Sequence, residues 1–170
     1  MIKLLTQIEI DAIQSSWITD DSGVLRWKRK PKGGNVGDVV GISTRPSGHQ
    51  NVVLSINGKL KAFVLARIVW FLRNNEYPTL EVEHKDCDPK NNSIENLRLS
   101  NRSQNLCNTR IRSDNTTGHK GIYSQCGKWV VQIWKDSKCH NLGMYKSIET
   151  AITIRNLGVQ RFHGEFARLK

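Results

Sequence analysis

The apolar positions of this chain change period along its length, and each change marks an element. Thr6-Gln7-Ile8-Glu9 has the form of a capping box, which predicts a helix running to about residue 16. Asp20-Asp21-Ser22-Gly23 predicts a turn, and residues 24–28 a strand whose basic continuation reaches Lys32. Gly33, Gly34 and Gly37 mark a loop. Residues 39–43 and 50–56 are β-like. Asn57-Gly58 is the strongest hairpin signal in the chain, with residues 59–63 as its return strand. The period then becomes helical: Val64, Ile68, Phe71 and Leu72 place one apolar face on a helix over 64–74, and Pro78 ends that region.

The second half repeats this alternation on a smaller scale. Residues 80–84 predict a short strand, 85–93 a polar loop without period, and 97–99 a brief return strand. Ser100 is placed to cap a helix over 101–110. After a polar connector, three β-like runs follow at 120–125, 128–134 and 138–142, separated by Cys126-Gly127 and Asp136-Ser137. Ser147 then caps a last helix with Ile148, Ala151, Ile152, Val159 and Phe162 near one face. Gly158 inside it costs ~1 kcal/mol relative to Ala, which close packing on the sheet would explain. No internal repeat is visible.

Charge sharpens this picture. The 170 residues carry 26 Lys and Arg against 15 acids, a net +11, which favours a polyanionic partner. The excess is uneven. Residues 1–79 hold 11 bases and 6 acids, residues 80–109 hold 4 and 5, and residues 110–170 hold 11 and 4. A slightly acidic centre between two basic flanks suits a divalent cation held against a phosphate. No apolar run approaches the ~20 residues of a membrane span, and Met1 to Leu5 lack the pattern of a secretory signal. Cys87, Cys107, Cys126 and Cys139 form no closely spaced pair, so reduced thiols are expected rather than a zinc knuckle.

The candidate chemistry lies in the centre. Glu83-His84 is followed by Asn96 after twelve residues and Asn105 after nine more, inside V-E-H-K-D-C-D-P-K-N-N-S-I-E-N-L-R-L-S-N-R-S-Q-N. This stretch, about 80–109, resembles the HNH nuclease family, as does the preceding Ala66-Arg67-Ile68-Val69-Trp70. The resemblance implies a ββα-metal (His-Me finger) motif: strand with the His, loop, strand, then a helix with the last Asn. It implies His84 as general base, Asn96 as the residue that holds the loop and orients His84, and Glu83 with Asn105 as ligands of Mg²⁺ (or Mn²⁺). Imidazole, with an ordinary pKa of ~6.5, suits proton abstraction from water near neutrality, and a hard cation suits oxygen donors. The family most often has Asp before the His; here it is Glu83, so the site could relax, prefer Mn²⁺ or be weak. Asp86 and Asp88 read as loop residues. His49, His119, His140 and His163 have no partner pattern and are expected at the surface or near DNA.

Lys120-Gly121-Ile122-Tyr123, Gly127-Lys128-Trp129-Val130-Val131-Gln132-Ile133, Leu142-Gly143-Met144-Tyr145 and Ala151 together resemble the plant ethylene-response-factor (APETALA-type) DNA-binding domain. This second resemblance covers 114–166 and implies a three-stranded antiparallel sheet on one helix. On the second strand Lys128, Val130 and Gln132 share one face and Trp129, Val131 and Ile133 the other, with Val131 and Ile133 expected toward the helix. The candidate DNA contacts are Lys120, Tyr123, Gln125, Lys128, Trp129, Gln132, Trp134 and Lys135, with the basic run Arg26, Lys28, Arg29, Lys30 and Lys32 along the phosphate backbone. The sequence thus predicts an α+β chain in three parts: a β-rich, DNA-contacting region at 1–60, the ββα-metal nuclease domain at 61–112, and the DNA-binding domain at 113–170. The expected function is a metal-dependent, sequence-tolerant homing endonuclease of phage type. It would act as a monomer on double-stranded DNA, in the cytoplasm of an infected bacterial host and without a membrane. The alternatives are a DNA-binding regulator with an inactive HNH core, and a restriction or colicin-type nuclease.

Overall fold

The computed structural model describes residues 4–167; the reading of the first residues as no secretory signal falls mostly outside them. Two compact units divide the chain, Met1–Ser100 and Asn101–Lys170. The class is α+β, as the sequence predicts. Residues on both sides of the predicted boundary between 1–60 and 61–112 share one hydrophobic core. Ile13, Trp17, Leu25, Val52 and Phe63 pack with Leu65, Ile68, Val69, Phe71 and Leu97 in a single cluster.

In the first unit, α1 (Gln7–Ser16) opens on the predicted capping box: Thr6 Oγ1 accepts from the Glu9 N–H at 3.4 Å, and Glu9 Oε2 accepts from the Thr6 N–H at 2.8 Å. The chain continues into β1 (Trp17–Thr19), a strand the sequence pattern does not show, which pairs antiparallel with β2 (Leu25–Trp27). Then β3 (Ile42–Thr44), β4 (Gln50–Ile56) and β5 (Lys59–Val64) form an antiparallel sheet in chain order. Asn57 and Gly58, at φ 52° and 75°, make its second turn, the two positive dihedrals a tight hairpin favours. Helix α2 (Leu65–Asn74) buries Leu65, Ala66, Ile68, Val69 and Phe71. Its Arg67 is spent on structure, donating to the Tyr77 hydroxyl at 3.1 Å and to the carbonyls of Pro78 and Leu80. That contact fixes the chain entering β6 (Glu81–His84), which pairs antiparallel with β7 (Leu97–Ser100) in the register Glu83↔Arg98 and His84↔Leu97.

The second unit begins with α3 (Arg102–Asn108). Its N-cap is Asn101, not Ser100: Asn101 Oδ1 accepts from the Gln104 N–H at 2.9 Å, while Ser100 stays in β7 and is fully buried. The sheet is β8 (Ile122–Gln125), β9 (Lys128–Lys135) and β10 (Lys138–Tyr145), antiparallel with β9 in the middle. Helix α4 (Ile148–His163) covers one face. Side chains on Gly158 would collide with Leu142 and Ile133, so its close packing on the sheet is real. Val131 and Ile133 are buried, as expected of the helix face. Val130, placed by alternation on the face of Lys128 and Gln132, is nonetheless only 2% exposed. It sits on the central strand, flanked in register by Tyr123 and Met144.

Candidate functional site

The geometry around His84 starts with β6. Alternation along this short strand would put Glu83 and His84 on opposite faces, yet both are buried, at 4% and 7% exposure. Glu83 is ion-paired through Oε1 with Nε of Arg98, its cross-strand neighbour on β7. His84 meets the loop that follows. Its Nε2 lies 3.1 Å from Oδ1 of buried Asn92.

The Asn92 amide is oriented by an unambiguous acceptor. Its Nδ2 donates to the Lys90 carbonyl at 3.2 Å and to Gln50 Oε1 on β4 at 2.8 Å. A backbone carbonyl only accepts, so Oδ1 must be the atom facing the ring. His84 Nε2 therefore carries the hydrogen and donates it. One amide thus sets the ring orientation.

Asn96 works on the loop backbone. Its Oδ1 accepts from the Asp86 N–H at 3.1 Å, and its Nδ2 donates to the Asn91 carbonyl at 2.7 Å and to Asp86 Oδ1 at 3.0 Å. The Asn96 carbonyl accepts from the Lys85 N–H at 2.9 Å. Asp86 lies below the usual carboxylate range. Burial opposes that, and is outweighed by the Asp88 N–H, the Asn91 and Asn96 amides and the nearby His84. The loop is also held from outside. Gly23 lies against the Asn92 carbonyl, and the Ile94 N–H donates to the Asp21 carbonyl at 3.0 Å. Sequence reasoning treats Asn91 and Asn92 as turn residues and misses what Asn92 does.

One further contact escapes sequence reasoning. The His49 ring, in the β3–β4 turn, lies 6.2 Å from the His84 ring between centroids. Desolvation lowers its pKa, with His84 and Arg45 adding to the effect. No sequence signal pairs residues 35 apart on different strands. Asn105, the predicted second ligand, is on α3 in the second unit, half-buried, with its N–H donating to the Asn101 carbonyl at 2.9 Å.

Glu83, taken by itself, offers the kind of oxygen that a hard divalent cation prefers. A carboxylate and a side-chain amide oxygen are hard ligands, and Mg²⁺ commonly takes one or two protein oxygens and keeps water for the rest. A carboxylate offers about four lone-pair sites, so the Arg98 contact at Glu83 Oε1 does not exhaust it. Among the described residues no three His, Cys, Asp or Glu side chains cluster as a metal cage.

The remaining candidates lie on surfaces. In the first unit Arg26, Lys28, Arg29, Lys30 and Lys32 are all exposed, with Arg26 donating to the Gly37 carbonyl at 3.1 Å and Lys28 to the Gln14 carbonyl at 3.4 Å. In the second, Tyr123, Gln125, Lys128, Trp134 and Lys135 are exposed, and Gln132 is half-buried. Trp129 packs against the small core of Ile122, Val131 and Ala151. The Lys120 ammonium donates to the Cys107 and Thr109 carbonyls and the Thr109 hydroxyl. Lys120, Gln132, Trp134 and Lys135 also line a 770 Å³ cavity within this unit. The four cysteines are free thiols.

Residues 65–107 match the family model described as HNH endonuclease. The Glu83–His84 pair, Asn92, Asn96 and Asn105 all fall within the matched stretch. The chain is 29% identical over 105 residues to Protein 3.8 of Escherichia phage T7, covering 60% of this chain and 86% of that protein. Among solved structures it is similar to the HNH homing endonuclease I-HmuI, described for its DNA binding and cleavage, with 21% identity and a TM-score of 0.47 over 87% of this chain and 85% of that one. No helix among the described residues is long and apolar enough to cross a membrane.

Proposed function

We propose that this protein is a metal-dependent DNA endonuclease of the HNH homing type, with His84 as its general base. The observation that carries the reading is the hold on His84. Inside the segment matching HNH endonucleases, the ring is buried and held through Nε2 by Asn92. A base fixed in this way takes a proton from water without first spending entropy on finding its orientation. Glu83 and Asn105 would hold a Mg²⁺ or Mn²⁺ ion. Such an ion, when bound, polarises the phosphoryl group and stabilises charge on the leaving oxygen. Asn96 keeps the loop closed around the residues after His84, and so fixes where the base stands.

The second unit would supply DNA recognition. Its three-stranded sheet with one covering helix supports the likeness to the APETALA-type domain, with Tyr123, Gln125, Lys128, Gln132 and Lys135 as contacts and Trp129 as a partly buried edge. The exposed basic run from Arg26 to Lys32 would follow the phosphate backbone of double-stranded DNA. With one base per chain, the protein would act as a monomer, in the cytoplasm of an infected bacterial host; the phage relative supports that setting.

One observation favours a second reading, a DNA-binding regulator with an inactive core. Glu83 stands where Asp is usual and is ion-paired with Arg98, a cation that competes with a metal for the carboxylate. Incubation with supercoiled plasmid and Mg²⁺ or Mn²⁺ decides between the two. Nicking that stops with EDTA and with His84→Ala supports the nuclease. DNA binding without any cleavage in either metal supports the regulator.

A further inference from the structure

The turn between β3 and β4 is built against the nuclease loop, although the two are far apart in sequence. Gly48 has φ +86°, and a Cβ there would come within 2.7 Å of Pro89 Cγ. Gln50, two residues on, accepts from Asn92, the residue that holds His84. The turn closes on itself through the Arg45 N–H and the His49 carbonyl, 2.8 Å apart. The Arg45 side chain is then fixed by buried Asn51, whose amide oxygen accepts from Nε at 2.7 Å and from a terminal nitrogen at 3.2 Å. These contacts make a platform that presents His49 beside His84, with Arg45 close enough to His49 to act on it electrostatically.

The charge around this platform is incomplete. From residue 39 to residue 60 the chain has no acid. Glu83, next to His84, is ion-paired with Arg98, and the oxygens of Asp86 in the loop already accept from the Asp88 N–H at 2.8 Å, Asn91 at 2.7 Å and Asn96 at 3.0 Å. His49 and Arg45 are both exposed on a turn that carries no acid of its own, an arrangement that suits an anion. A guanidinium and an imidazole N–H both suit a phosphoryl oxygen.

We propose that His49, with Arg45 beside it, contacts a non-bridging oxygen of the scissile phosphodiester while His84 takes the proton of the attacking water. This rests on the nuclease reading above. The 6.2 Å between the two rings leaves room for the two roles on one phosphate. His49 donates one hydrogen bond, no proton leaves it, and no bond to it forms. Its effect is electrostatic, strongest as charge builds on the phosphoryl oxygens in the transition state.

The test uses the full chain with wild type, His84→Ala, His49→Ala, His49→Gln and Arg45→Ala, after thermal unfolding confirms that each is folded. Plasmid nicking is measured at saturating protein, and affinity separately on a short mixed-sequence duplex. For His49→Ala we expect a fall in saturated rate on the order of 10²-fold with affinity within a few-fold. His49→Gln, which keeps an N–H donor, should recover part of that rate. Arg45→Ala should lower both rate and affinity. If wild type cuts, His84→Ala does not, and His49→Ala cuts at the wild-type rate, the nuclease reading stands and this proposal falls. If wild type does not cut, the nuclease reading falls. The imidazole resonances of His49 on adding the duplex then decide the contact alone: a shift supports it, and unmoved resonances overturn it.

Discussion

Oδ1 of Asn92 accepts, at 3.1 Å, the hydrogen carried by Nε2 of His84. That contact orients the imidazole of a histidine on a short strand. The same Asn92 amide reaches Gln50 on β4, so the sheet before the nuclease segment takes part in positioning. Asn92→Ala should lower the saturated cleavage rate by about 10- to 100-fold, as loss of an orienting partner does elsewhere. Asn92→Asp, which keeps an acceptor for Nε2–H, should be milder. Single-turnover nicking of plasmid for the three proteins measures both. Equal rates for Asn92→Ala and wild type would show that the ring needs no such support.

His84→Ala should abolish cleavage while leaving DNA affinity within a few-fold, because a base acts mainly in the transition state. Gel-shift titration beside a cleavage time course reads the two separately. Cleavage at the wild-type rate would remove His84 from the mechanism.

The elements were largely legible in the sequence, because each has a local cause. Thr6 and Glu9 form their capping box within one turn, Asn57-Gly58 needs only its own dihedrals, and α2 shows its core face in Ile68 and Phe71. What escaped was long-range. β1 is three residues long and exists because β2 pairs with it. Val130 is buried by its place on the central strand, which alternation alone does not encode. Glu83, His84, Asn96 and Asn105 stood out through spacing. Asn92 and His49 did not, since one looked like a turn residue and the other has no partner until the hairpin folds back.

Glu9 links the first helix to β5 and gives the fold an acid limit. Its pKa is lowered from 4.5 to about 2, chiefly by the Lys61 ammonium at 2.8 Å and then by the Thr6 N–H. A lowered carboxylate pKa adds stability that is full above the unfolded value and is lost as pH falls through the folded one. This contribution should therefore fade between pH 4.5 and about 2. Lys61 is 41% exposed, so solvent screening limits the pair to about 1–2 kcal/mol. Urea unfolding of wild type and Glu9→Gln at pH 6 and pH 3 measures it. The gap between the two proteins should narrow at the lower pH.

Gly23 supports the nuclease loop from outside. At φ +80°, an added Cβ there would strike the Asn92 carbonyl. Gly23→Ala should cost about 2 kcal/mol or more and slow cleavage beyond its effect on binding, because the collision falls on the residue that holds His84. Gly33→Ala is the control: its φ is +77° with nothing within 4 Å, so only the backbone strain of ~1 kcal/mol should appear. Thermal unfolding and single-turnover nicking of both variants check the contrast.

The division of labour between the units calls for point substitutions rather than truncation. Removing residues from 113 onward would cut into the second compact unit, which includes α3 and Asn105. Loss of activity would then say nothing about DNA recognition. Lys128 and Lys135 are exposed on β9 and can be neutralised without removing core. If both meet phosphates, Lys128→Ala with Lys135→Ala should weaken binding across all duplexes. The log–log salt slope should become shallower by ~0.9 for each lost contact. Gln125→Ala should act differently. Its side chain suits base edges, so its loss should leave the salt slope unchanged while narrowing the preference for target over random duplex. Salt titrations of binding with both duplex types separate these outcomes. An unchanged slope in the double lysine variant would place the phosphate contacts elsewhere, with the basic run from Arg26 to Lys32 as the next surface to neutralise.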